Sequence, residues 1–154
     1  MPQQLRLALA RWPSEALRFN VGAEEWSPAE RFSPLGHVCH LRDFEREAFR
    51  ERISRLLAED GPSLPQVDGY ELAAVRRYDE ASLDAALHEF SEARRATVER
   101  LSALDTAAWQ RRGHFEGFGP ITLEGMAAVI RSHDLQHLAG LAWLHAKWTG
   151  AAGR

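Results

Sequence analysis

The chain has 154 residues, 45 % of them hydrophobic, which suits one domain closed around a single core rather than two. Its 19 basic and 22 acidic side chains give a formal charge of -3, without the basic excess of a domain held to phosphates, so nucleic acid is not an expected partner. No apolar run approaches the ~20 residues needed to cross a bilayer, so no membrane association is expected either.

The start, Met-Pro-Gln-Gln-Leu-Arg, lacks the layout of a signal peptide, and Cys39 is the one cysteine, with no internal disulfide partner. A reducing cytoplasm is the expected location. From there the pattern is helical. The first helix is expected over about Gln4 to Asn20, broken near Trp12-Pro13, because proline removes a donor and disfavours helix in the residue before it. Val21 to Arg31, with Gly22 and Trp26-Ser27-Pro28, reads as a linker.

Ser33-Pro34 is a start signal, serine as N-cap and proline at the first helical position. The second helix runs from there to about Glu59 and stops at Asp60-Gly61-Pro62. Its alternating charges, Arg42, Arg46, Arg50, Arg52 and Arg55 against Glu45, Glu47 and Glu51, read as a solvated face. Ser63 to Asp79 shows no clear periodicity and is expected to be a long crossover loop. Asp79 or Ser82 begins a third helix, whose apolar face holds Leu83, Leu87, Phe90, Ala93 or Arg94, Val98 and Leu101, and which ends near Leu104. Trp109 to Pro120 reads as a glycine-rich loop, and Thr122 caps the last helix. Four helices with one long crossover predict an all-α four-helix bundle over residues 1–154.

The last helix carries the most informative feature. Its apolar stripe, Met126, Ile130, His133, His137, Leu141, Leu144 and Trp148, advances in steps of three and four and stays on one face. Two inward histidines at i and i+4 present ring nitrogens to a common point, as a divalent metal requires. A bare His-x-x-x-His is weakly specific, since inward histidines also occur as ordinary core residues, and Asp134 stands where metalloproteases carry the glutamate of His-Glu-x-x-His. A third ligand is needed. His37 and His40 on the second helix are both candidates, and the helical wheel places His37 slightly nearer the apolar face. Cys39 reads as a small buried hydrophobe. His88, His114 and His145 have no partner at ligand spacing, although His114 lies in the glycine-rich segment that precedes the paired histidines.

Phe32-Ser33-Pro34, then His40-Leu41-Arg42-Asp43-Phe44-Glu45, then Gly117-Phe118-Gly119-Pro120-Ile121-Thr122-Leu123 and His133-Asp134-Leu135-Gln136-His137 together resemble the DinB-like, or YfiT-like, four-helix bundles over nearly the whole chain. The resemblance implies that His40, His133 and His137 bind one divalent metal, zinc or nickel, with water or substrate completing the shell, and leaves His37 as the alternative to His40. It implies a metal-dependent enzyme on a small-molecule substrate, the metal activating a low-molecular-weight thiol (a transferase) or water (a hydrolase), and a homodimer. Asp43 and Glu45 are candidates to orient an imidazole from behind. The competing expectation is a non-catalytic, stress-related binding or dimerisation bundle holding a structural metal or none. An open metal position would favour the enzyme, a fourth protein ligand from Cys39 or His37 the structural site.

Overall fold

In a computed structural model, residues 1–22, 25–29 and 31–152 are described, the side chain of residue 152 excepted; residues 23, 24 and 30 of the expected linker lie outside them. Helix α1 (Pro2–Leu9) ends before Trp12-Pro13, and a 3₁₀ turn, Ser14–Ala16, follows the proline. The expected first helix is therefore short. The second element is one continuous helix, α2 (Pro34–Asp43) running through a π-helical turn (Phe44–Phe49) into α3 (Arg50–Ala58). Pro34 occupies the first turn, and the Ser33 hydroxyl accepts the Gly36 N–H at 3.1 Å, as the start signal predicts.

The π turn changes which residues face inward. An extra residue per turn moves the buried stripe on by about 100°, so Phe49 and Ile53 are buried after it. A wheel drawn at constant pitch places Phe49 and Ile53 on the flank.

The segment from Ser63 to Asp79 is not a plain loop. It contains β1 (Ser63–Leu64), α4 (Gly69–Val75), N-capped by Asp68, and a 3₁₀ turn, Tyr78–Glu80. Helix α5 (Leu83–Ser102) starts at its Ser82 cap, and a short α6 (Thr106–Trp109) follows. The glycine-rich segment pairs as β2 (Arg112–Phe115) and β3 (Gly119–Thr122), antiparallel, with β1 added in parallel on the far side of β2. Gly117 and Gly119 turn this hairpin at φ +78° and +89°, conformations that favour glycine. An all-α fold is thus corrected to a helical bundle with a small sheet; its strands of two to four residues are too short to stand out from a glycine-rich loop in the sequence.

Helix α7 (Leu123–Ala152) closes the fold, with Thr122 Oγ1 accepting the Gly125 N–H at 3.0 Å. Two apolar clusters make up the core. One gathers Leu5, Leu9, Trp12, Leu35, Val38, Phe90, Leu141 and Leu144; the other gathers Phe49, Ile53, Leu56, Leu64, Phe115, Leu123 and Met126. Along α7, His133 and His137 fall between Ile130 of the second cluster and Leu141 of the first.

Candidate metal centre

Helix α2 carries His37 and His40 inward, both buried, and α7 carries His133 and His137 towards them. Three Nε2 atoms converge: His40 on His133 at 3.0 Å, and His137 on His133 at 3.1 Å. Tetrahedral coordination at ~2.0–2.1 Å sets ligand nitrogens about 3.3 Å apart, so little movement separates this cluster from a metal-binding arrangement. Among the described residues, His40, His133 and His137 are the group of histidine, cysteine or carboxylate side chains that can hold a metal ion.

His37 takes a different place. Its Nδ1 lies 2.7 Å from Nδ1 of His137, on the side of that ring away from the cluster. Each of these four imidazoles is held neutral. Burial, with neighbouring imidazoles adding to it, lowers His40 to about 2 and His37 to about 3 and takes His137 well below its ordinary value, while burial with the Arg94 and Arg52 charges lowers His133 to about 4. Neutral imidazole is the form that ligates. Three such nitrogens suit zinc or nickel by donor type.

Aromatic rings wall the cluster. Phe44 lies against His40 with centroids 4.1 Å apart and stacks on His133 at 5.3 Å, Phe32 packs on His40 at 4.9 Å, and Phe49 meets His133 edge-on at 5.3 Å. The backbone of Gly69, the first residue of α4, closes on His40 so tightly that a Cβ there would sit 2.6 Å from the ring's Cε1.

Asp43 and Glu45 do not orient an imidazole through any contact the structure displays. Asp43 is held by Arg42 at 2.6 Å and Arg76 at 3.1 Å, which keep its carboxyl ionised below the usual range against the cost of burial. Glu45 is paired with Arg94 at 2.8 Å, and the same guanidinium grips both oxygens of Asp134 at 2.5 and 2.9 Å. Arg94 therefore links the π turn, α5 and α7 beside His133. The signal for it was the charged residue on the apolar face of α5; the exposed member of that face is Val98. Asp134, next to the first histidine of the pair, also favours the charged form of His133 against the effect of burial.

Cys39 is fully buried, its thiol pushed up to about 11 mainly by burial, and it stands outside the cluster. His88 is exposed on α5 and His114 is exposed on β2, whereas His145 packs its ring against Trp12. Arg52, read as part of a solvated face, is 3 % exposed.

No curated protein matches the chain. The fold is that of the solved structure of YfiT from Bacillus subtilis, described as a probable metal-dependent hydrolase with an unusual four-helix bundle topology: TM-score 0.81, 18 % identity, covering 96 % of this chain and 81 % of that one. The family model of the DinB superfamily matches residues 1–141. The chain therefore belongs to the DinB superfamily.

Proposed function

We propose that this protein is a metal-dependent enzyme acting on a small molecule, with His40, His133 and His137 holding one divalent metal, zinc or nickel. The observation that carries the reading is a set of three converging Nε2 atoms without a fourth protein donor among the described residues. Closed four-ligand shells belong to structural sites, three-ligand shells to catalytic ones. The two residues best placed to close the shell do otherwise: His37 faces the far nitrogen of His137, and Cys39 is a buried thiol outside the group.

When bound, such a metal lowers the pKa of water or of a thiol in the open position towards neutrality. The protein's own residues prepare the place. With Nε2 committed to a metal, His137 carries its proton on Nδ1 and donates it to Nδ1 of His37, which fixes the ring's tautomer and orientation. Phe32, Phe44 and Phe49 keep bulk water from the imidazoles. Hydrolysis is the first activity to seek, as YfiT is described as a probable metal-dependent hydrolase; transfer to a low-molecular-weight thiol uses the same open position.

The test is metal content by inductively coupled plasma mass spectrometry on tag-free protein, beside His40→Ala and His137→Ala, followed by ester, amide and thiol-transfer assays. One metal per chain in the wild type, absent from both variants, is the expected result. A wild type that takes up neither zinc nor nickel overturns the reading and favours the non-catalytic bundle.

A further inference from the structure

Arg52 is buried in this bundle and Arg94 half-buried, and the two are treated differently. Arg94 is neutralised by Glu45 and Asp134. Arg52 has no carboxylate within ion-pairing distance among the described residues. Its one hydrogen bond runs from Nη2 to the Pro65 carbonyl at 2.9 Å, and its guanidinium lies over Phe115, 4.5 Å from the ring centroid, with Phe49 at 5.7 Å. Ring faces and one carbonyl offset only part of the cost of burying a full charge. Burial accordingly depresses even this guanidinium, to about 10.

Arg52 lines a cavity of about 280 Å³ between α3 and α4, whose apolar wall is Ala48, Pro65, Val67 and Leu72. The other charges at its edge are accounted for. Asp43 and Glu47 are both tied to Arg76, Arg55 is paired with Glu59, and Glu51 is exposed. The cavity adjoins the metal centre through a single ring, because Phe49 contacts His133 on one side and Arg52 on the other.

We infer that Arg52 receives an oxyanion, the carboxylate or phosphate of the small molecule handled at the three-histidine centre, with the apolar wall taking the rest of that molecule. A planar guanidinium offers a fork of donors matched to either group. The inference rests on the proposed centre for what the anion serves; anion binding at Arg52 stands without the metal.

The experiment uses metal-depleted full-length protein, titrated with inorganic phosphate and with succinate at constant ionic strength, read by calorimetry and thermal shift. Saturable binding is expected in the wild type and in His137→Ala, at least tenfold weaker in Arg52→Met and several-fold weaker in Arg52→Lys, which keeps the charge but not the fork. Arg52→Met is expected to melt no lower than the wild type in anion-free buffer, because it removes an uncompensated charge. Unchanged affinity in Arg52→Lys and Arg52→Met, or no binding by the wild type, overturns the inference and leaves Arg52 as a strut to Pro65. Phosphate binding in a protein that takes up no metal would overturn the metal centre alone.

Discussion

Nδ1 of His37 meets Nδ1 of His137 at 2.7 Å, while Nε2 of the same His137 points to His133. One ring is thus gripped at both ends, which divides the four inward histidines into three that converge and one that supports. His37→Ala is predicted to keep the metal stoichiometry of the wild type but weaken affinity by about 10- to 100-fold, the usual effect of removing a ligand's hydrogen-bond partner. His40→Ala and His137→Ala lose the metal. Competition against a chromogenic chelator measures the difference, and loss of stoichiometry in His37→Ala with retention in His40→Ala would reverse the two assignments.

Burial of neutral imidazoles makes the metal-free protein acid-labile. The folded values of His37, His40 and His133, at about 3, 2 and 4, lie below the unfolded value of 6.5, so between these limits the unfolded chain binds more protons. Stability is therefore full above pH 6.5 and falls as pH drops from there towards 4, by roughly a kcal/mol per pH unit for each histidine. Urea titrations of metal-depleted protein from pH 7.5 to 4.5 should show a falling midpoint, and His37→Gln, which removes one titrating group, should flatten the slope. A midpoint independent of pH over this window would show that the imidazoles are not buried neutral.

Local signals made much of this architecture legible. Ser33-Pro34, Ser82 and Thr122 each cap a helix where the side chain and its position say they should, and the i, i+4 spacing of His133 and His137 places both rings on the inner face of α7. What escaped the sequence depends on long-range geometry. The π turn shifts the register of α3, so Phe49 and Ile53 read as flank residues when they are buried, and Arg52, read as solvent-facing from its alternating charges, is buried as well. Arg94, Glu45 and Asp134 lie on three separate segments and acquire meaning only when they meet. The wheel preference for His37 over His40 fails as a guide to convergence because both are buried; which nitrogen each ring turns to the cluster is decided by α7.

The Arg94 junction is predicted to matter more for stability than for metal binding. Removing the guanidinium leaves Glu45 and Asp134 buried beside each other without a cation, a situation that costs about 3–5 kcal/mol. Arg94→Ala should lower the urea-unfolding free energy by that order, and Arg94→Lys should recover only part of it, since a point charge cannot grip both oxygens of Asp134 while holding Glu45. The double variant Glu45→Gln/Asp134→Asn in the Arg94→Ala background should restore a share of the loss. If Arg94→Ala costs under 1 kcal/mol, the three groups are solvated rather than interdependent.

Gly69 offers the sharpest separation of site from scaffold. It opens α4 with its backbone against the edge of His40, at a place where an added Cβ would sit 2.6 Å from Cε1 and 2.9 Å from Nδ1 of that ring. Neither contact is sterically tolerable, and Phe44, 3.5 Å from the same point, blocks one direction of escape. In Gly69→Ala either α4 lifts or the imidazole turns, and both disturb the convergence of His40 Nε2 on His133. Helix propensity pulls the other way, since alanine is favoured over glycine by up to about 1 kcal/mol inside a helix. Gly69→Ala is therefore predicted to lose affinity for zinc by tenfold or more while its urea midpoint changes little, whereas Gly150→Ala, with open space at its Cβ position near the end of α7, should leave affinity unchanged. Equal zinc affinity in Gly69→Ala and wild type would mean that His40 can rotate freely beneath α4 and that the glycine serves the loop alone.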